Sequence, residues 1–148
     1  MTNLYAWLRF FHLVGLAVFL FAHGVSGGAS LALRAPVSME SRRLLRLSQG
    51  SSFIANPSLI IVLVTGIWMA FAGHWWGKGW PWASLLVLVA VLGGMGFIAG
   101  PYYKAREAAE QPDDVLKDRL GRTRPLAAIW IGGVGLVALT FLMVFKPF

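Results

Sequence analysis

The sequence lacks cysteine altogether and is poor in charge. Of its 148 residues, 13% are charged and only 6 are Asp or Glu. The absence of cysteine excludes disulfides and thiolate metal sites. A typical soluble domain carries about 25% charged residues, so this chain has too little polar surface to cover a water-soluble globule. Hydrophobic residues make up 57% and the mean hydropathy is +0.68, a composition that requires surrounding lipid.

Catalytic signatures are missing as well. The sequence contains no P-loop and no HExxH motif, and no long apolar run carries a pair of acidic residues that could relay protons. The glycines between Gly24 and Gly28 do not form a dinucleotide-binding motif, because they neither follow a strand nor open a helix. The sequence therefore does not favour an ordinary catalytic enzyme.

What the sequence does contain is four long apolar segments. Each one has at least the roughly 20 residues that cross a hydrocarbon core of about 30 Å. We therefore predict an all-α fold, a four-helix transmembrane bundle that forms one integral membrane domain over residues 1–148. The first segment lacks a basic n-region and is too long for a signal peptide, so we expect it to be retained. The predicted spans are Leu4–Leu33, Phe53–Gly73, Pro81–Tyr103 and Leu126–Phe145.

Basic residues are concentrated in two of the predicted loops. Arg34–Ser52 holds four and Lys104–Pro125 holds six of the thirteen Lys and Arg residues. The positive-inside rule places these loops in the cytoplasm and both termini outside. The net charge is +7, but the basic residues lie between the apolar segments and do not form one face. We therefore expect no nucleic-acid partner. The chain is predicted to be a multi-pass protein of the cell membrane, with the lipid bilayer around it.

The two basic loops are predicted to form short interfacial helices. In the first loop, leucines including Leu45 would lie on the membrane while Arg42 and Arg46 reach lipid phosphates. The second loop mixes acidic and basic residues and is interpreted as a solvated cap without dedicated chemistry. Glycine pairs within the spans, Gly24 with Gly28 and Gly96 with Gly100, predict close packing between helices.

Two histidines lie well inside the first predicted span. Ionisable groups in the bilayer are unfavourable and usually functional, so His12 and His23 are the most informative residues of the chain. Eleven residues correspond to about 1,100° of helix, so both face the same way about 16 Å apart. A single haem cannot bind both. Counting from the outer aromatic residues places His12 about 7 Å deep and His23 about 24 Å deep.

Possible partners are available only near the level of His12. At the level of His23 the other spans offer apolar side chains, so a His/Met or His/His site is expected in the outer leaflet. The alternative for either histidine is a hydrogen bond between helices, and for either methionine it is packing. The candidate cofactor ligands are His12, Met69, Met143 and His74, and the candidate metal ligands are His12 and His23.

The segment Trp7–Gly15 (WLRFFHLVG) resembles the opening helix of a known group of membrane proteins. The group comprises HemJ-type proteins, the membrane domain of copper-resistance D (CopD) proteins and a related uncharacterised family of small integral membrane proteins. The resemblance extends over about the first hundred residues. It includes Arg46–Ser48, Pro57, Thr65 with Gly66, and Gly79–Ser84.

This resemblance implies a small four-helix bundle with the N-terminus outside. In HemJ-like members the first-helix histidine, His12 here, is implicated in binding haem b together with a lysine early in the third span. This sequence has Ser84 and no lysine in the stretch Pro81–Ala90. The copper-related members would imply passage of copper ions.

Three hypotheses follow. The first is a membrane protein that binds haem b or a redox metal through His12, with the second ligand from the same chain or from another copy in a homodimer. The second is a non-catalytic accessory subunit or assembly factor of a larger energy-transducing membrane complex. The third and more distant is copper transport.

Overall fold

Every regular element of the computed structural model is helical over the residues it describes, 2–33 and 37–148. Arg34, at which the first basic loop begins, lies outside the described residues. Of the described helices, α1, α2, α3 and α5 are long and apolar enough to cross a membrane, which confirms the predicted all-α bundle. The helices are α1 (Thr2–Ala32), α2 (Met39–Ala72), α3 (Gly79–Glu107), α4 (Asp113–Gly121) and α5 (Pro125–Phe145), with 3-10 turns at Trp75–Gly77 and Ala108–Glu110.

The four long helices differ in length. α1, α2 and α3 contain 31, 34 and 29 residues, whereas α5 contains 21. At 1.5 Å per residue these lengths are about 46, 51, 44 and 32 Å. Only α5 matches a hydrocarbon core of about 30 Å. The other three project beyond it at the loop end of the bundle, which we define as the end that holds α4; the opposite end, with Thr2 and Phe148, is the terminal end.

The sequence predicted a separate interfacial helix in the first basic loop. This prediction is wrong, because α2 begins at Met39 and continues without a break into the second span. Ser38 starts it with a capping box, in which its hydroxyl accepts from the Ser41 N–H. Leu45 is only 1% exposed, so it packs in the protein and not on the membrane surface. Arg42 and Arg46 pair with Asp113 and Glu110.

The best-buried apolar cluster lies at the loop end, where α4 covers the projecting helices. Outside the hydrocarbon the hydrophobic effect drives apolar side chains together, whereas inside lipid it does not. The loop end therefore forms a small core of its own, held also by the hydrogen bond from Arg42 to the Ala109 carbonyl. The buried members are Leu33, Leu45, Ala105, Ala108, Ala109 and Leu116.

Within the spans, α1 packs along α2 and α3 packs along α5. In α3 and in α5, only 6% of an apolar stretch of 18 residues is buried inside the protein. The total accessible surface is 9596 Å², against about 7,500 Å² for a compact soluble protein of this mass. The excess is largely apolar, as Phe97 at 87% exposure illustrates. The chain is a membrane protein whose outer faces need lipid or another apolar partner.

The predicted glycine pairs are not at close helix contacts. A Cβ added at Gly24, Gly28, Gly96 or Gly100 would meet no other atom within 4 Å, so these glycines face open space. The close approaches occur at single glycines instead. A Cβ at Gly135 would lie 2.3 Å from Val91, which allows α5 to pack closely on α3.

The terminal end gathers the predicted aromatic residues. Trp75 packs edge-on against Tyr5 and also contacts Trp80, with ring centroids 5.9 and 5.2 Å apart. The Trp80 N–H donates to the Phe148 main-chain oxygen at 3.2 Å. A Cβ at Gly79 would lie 2.6 Å from the Phe148 ring, so glycine is required there for the last residue to contact the start of α3.

Candidate functional site

His12 is buried between two of the described spans. Only 7% of its surface is exposed, because it lies on the face of α1 that packs against α2. Leu8 and Gly15 are also buried on this face, at helical spacings of four and three residues. The packing of α1 therefore directs His12 toward another helix and away from lipid.

Two acceptors on α2 orient the imidazole. The Nδ1 atom of His12 lies 2.9 Å from the Val62 carbonyl oxygen and 3.1 Å from Thr65 Oγ1. The Thr65 hydroxyl donates its one hydrogen to main-chain oxygens, the nearer being that of Ile61 at 2.6 Å, so it can only accept from His12. Because a carbonyl also only accepts, Nδ1 carries the hydrogen. In the neutral ring, Nε2 then holds the lone pair.

Nε2 of His12 has no hydrogen-bond partner within residues 2–33 and 37–148. A metal-binding histidine commonly has this arrangement, in which one ring N–H donates to a carbonyl and the other nitrogen binds the metal. The same nitrogen could instead accept a hydrogen bond. The chemistry available at His12 is therefore metal ligation or acceptance of one hydrogen bond.

Two glycines allow α1 and α2 to approach each other around His12. A Cβ at Gly66 would lie 3.1 Å from His12 Cε1, and one at Gly15 would lie 3.2 Å from the side chains of Ile61 and Val62. Small residues permit such close packing in lipid. The GxxxG criterion could not find these glycines, because neither has another glycine four residues away.

The other predicted ligands lie in different surroundings. Met69 is half-buried on α2, and Met143, near the end of α5, is 37% exposed. His74 is exposed in the turn between α2 and α3, where its backbone is left-handed with φ of 54°. In the described ranges, no hydrogen bond or ring contact joins these residues to His12. A second ligand for His12 stays a prediction.

His23 contacts a different helix from His12. Its ring stacks on Phe19 with centroids 5.3 Å apart, and a Cβ at Gly132 of α5 would lie 3.7 Å from its Nε2. The structure gives the His23 ring no hydrogen bond within the described residues, so the expected inter-helix hydrogen bond is not found there. The same part of the chain holds no group of three or more His, Cys, Asp or Glu residues that could bind a metal ion.

A second polar cluster, which sequence reasoning missed, lies toward the loop end. We name it the Arg106 layer, for Arg106, Ser26, Ser48, Ser51 and Tyr102. Arg106 Nη2 lies 3.1 Å from Ser26 Oγ, 2.9 Å from the Ser48 carbonyl oxygen and 2.6 Å from Ser48 Oγ, so its two hydrogens are shared among three acceptors. The Tyr102 hydroxyl lies 2.9 Å from Ser48 Oγ. One side chain of α3 thus joins α1 and α2.

The charge of Arg106 has no acidic partner in the described chain, where the ion pairs involve Arg42, Arg46 and Arg122. Hydroxyl and carbonyl dipoles stabilise it instead, and its guanidinium carbon lies 4.8 Å from the centroid of the Tyr102 ring. Its Nε is buried without a hydrogen bond among the described residues. The available sequence signal was the group of serines in α1 and α2, which needed a donor.

Comparisons with protein-family models, with curated proteins and with solved structures find no match.

Proposed function

We propose that this chain is a multi-pass protein of the cell membrane that binds b-type haem, or another redox metal centre, through Nε2 of His12. The observation that supports the proposal is the pair of acceptors at Nδ1, the Val62 carbonyl and Thr65 Oγ1. They leave Nε2 with a lone pair inside an apolar segment, where a polar atom without a partner is unfavourable. The resemblance of the first helix to HemJ-type proteins points to the same residue.

One protein ligand is sufficient for haem in other proteins. Globins and peroxidases hold the iron by a single proximal histidine, so His12 alone is an adequate donor. Met69, Met143, His74 or the His12 of a second copy are the candidates for a further ligand. A bound haem would supply one-electron redox chemistry, and the role of His12 and its partners on α2 is to hold and orient it.

The test is the visible spectrum of the protein purified from cells supplied with haem, reduced minus oxidised. We expect an α-band in the wild-type protein and its loss in His12→Ala. His23→Ala is the matched control, because it removes the other intramembrane imidazole from a contact with α5 instead of α2. It should keep the band. Wild-type protein that contains neither haem nor a redox metal would reject the proposal.

The same spectra identify a second ligand. Axial ligands set the reduction potential of haem, so Met69→Leu or Met143→Leu should shift the potential if that methionine ligates the iron. If neither variant shifts it, His74→Ala and the stoichiometry of haem per chain test the two histidine alternatives. Half a haem per chain would indicate a site shared in a homodimer.

The second candidate is a non-catalytic accessory subunit or assembly factor. The observation that favours it is again the contact of His12 with α2, since a histidine that joins two helices has a structural use without a cofactor. In that case His12→Ala would lower the thermal stability of the protein, or its yield in a complex, while wild-type protein would show no absorption band. The two candidates therefore give opposite spectra.

A further inference from the structure

A basic pocket lies between α3 and α4 at the loop end. None of its lining residues contacts His12. Its volume is about 250 Å³, and it is lined by Gly100, Pro101 and Lys104 of α3 together with Arg119 and Arg122. No acidic side chain is among the lining residues. Three basic side chains therefore border one small space.

These charges are largely free to bind a ligand. Lys104 and Arg119 form no ion pair within the described residues. Arg122 pairs with Asp118 at 3.0 Å, but both side chains are more than half exposed and lie one helical turn apart. Such a pair contributes only a few tenths of a kcal/mol. An anion in the pocket could replace it.

The pocket lies at the level where the hydrocarbon ends. α5, which is about as long as the hydrocarbon core is thick, begins at Pro125, directly after Arg122 and Arg124. On α3, about 20 residues from Trp82 cross the core and reach Tyr102. Lys104 is therefore at the level of lipid phosphates, on the side of the membrane that the charge distribution predicts to be cytoplasmic.

An open strip on α3 leads from the hydrocarbon to this pocket. Gly93, Gly96 and Gly100 follow one another on the same helical face as Lys104, at spacings of three and four residues. A Cβ at any of the three glycines would meet nothing within 4 Å. The strip is apolar and its glycines have no side chains, so an acyl chain can lie against the helix backbone while its headgroup stays beside Lys104.

We infer that this pocket binds one anionic phospholipid, with the phosphate among Lys104, Arg119 and Arg122 and one acyl chain along the glycine strip of α3. Three basic side chains favour a phosphodiester lipid with a net negative charge over a zwitterionic one, because the cationic group of a zwitterionic headgroup would be repelled. Basic pockets between membrane helices on the cytoplasmic side bind such headgroups. The inference depends on the four spans and not on any cofactor at His12.

The test is native mass spectrometry of the full chain released from phosphatidylcholine nanodiscs that contain phosphatidylglycerol. We expect one phosphatidylglycerol to remain on the wild-type protein. The triple variant Lys104→Gln, Arg119→Gln, Arg122→Gln should retain it at least about tenfold less, since it removes all three charge-assisted contacts with the phosphate. The matched control, Arg43→Gln, Lys117→Gln, Arg124→Gln, removes the same charge from the same end outside the pocket and should behave as wild type.

A second variant keeps the inference testable if the triple variant does not fold. Gly96→Phe leaves all charges in place and fills the strip, so it should lower retention of long-chain phosphatidylglycerol but not the thermal stability of the protein in phosphatidylcholine. Equal loss of lipid in both triple variants would show non-specific attraction and overturn the inference. Stabilisation by inorganic phosphate equal to that by phosphatidylglycerol would also overturn it, since the site would then bind a free anion.

Discussion

The two polar layers of the bundle use their buried side chains in opposite ways. The His12 layer, which consists of His12, Val62 and Thr65, is neutral and joins two helices through one ring nitrogen. The Arg106 layer is charged and joins three helices through one guanidinium nitrogen. In the first layer the second ring nitrogen stays without a hydrogen bond among the described residues and carries a lone pair. In the second the serine hydroxyls are engaged with one another and with Arg106, and the atom left without a hydrogen bond there, Arg106 Nε, is a donor that cannot ligate a metal.

The Arg106 layer therefore has a structural role, whereas the His12 layer also has a ring nitrogen that can bind a ligand. Helices in lipid gain little from the hydrophobic effect, so polar contacts and close packing contribute much of their association. The Arg106 layer does this at the loop end, where three helices already project toward water. The His12 layer joins its helices through Nδ1 of the imidazole, and Nε2 is available to a ligand. The following predictions test that distinction.

The largest effect is expected for Arg106→Ala. Hydrogen bonds to a charged group contribute about 1.5–3 kcal/mol each, and this change removes the donor that joins α3 to Ser26 and Ser48. We expect a loss of about 3 kcal/mol in the free energy of unfolding, measured by titration with SDS. The control is Arg43→Ala, because Arg43 is exposed at the same end and the change removes the same charge. Equal stability of the two variants would show that the Arg106 layer does not hold the bundle together.

Hydropathy predicted the four long apolar helices, because it is carried by the segments themselves. The predicted fourth span, Leu126–Phe145, agrees with α5 (Pro125–Phe145) within one residue. α2 begins at Met39, fourteen residues before the predicted span Phe53–Gly73, because this helix projects beyond the hydrocarbon at the loop end. Its first turns are polar on one side, and their helical structure is supported by contacts with α4 that no local pattern contains.

The candidate site was predicted in part for the same reason. His12 stands out because an ionisable residue in an apolar segment is conspicuous. Its partners Val62 and Thr65 could not be named, because they depend on the register between α1 and α2. Arg106 was assigned to membrane orientation along with the other basic residues, so its contacts with serines were not foreseen. Contacts between particular residues of different helices, unlike apolar segments, cannot be predicted from composition.

The second prediction concerns packing in the His12 layer. Gly66→Val should lower the free energy of unfolding by about 2 kcal/mol, the usual effect of forcing extra methyl groups into a packed site, because a Cβ there would already lie 3.1 Å from the His12 ring. Gly28→Val introduces the same side chain in α1, where the position is open. It should be nearly neutral. The opposite order of stability in SDS titration would restore the GxxxG pair as the close contact and contradict the packing described for α1 and α2.

The smallest effect is expected for Thr65→Val, which removes one acceptor from His12 while keeping the side-chain shape. The Val62 carbonyl continues to accept from Nδ1 at 2.9 Å, so the ring should keep its orientation. A polar contact of this kind between membrane helices contributes about 0.6 kcal/mol, and that is the expected loss in SDS titration. Ser30→Ala is the control and should lose less, since the Ser30 hydroxyl bonds, among the described residues, only to the Gly27 carbonyl of its own helix. If His12 ligates haem, Thr65→Val should keep the α-band and raise the reduction potential slightly, because an acceptor at Nδ1 makes the imidazole a more basic ligand, which favours the oxidised iron. Complete loss of the band in Thr65→Val would mean that the carbonyl alone cannot hold the ring. The distinction between the two layers would then fail, since the His12 layer would need both of its polar contacts with α2 to hold the ring.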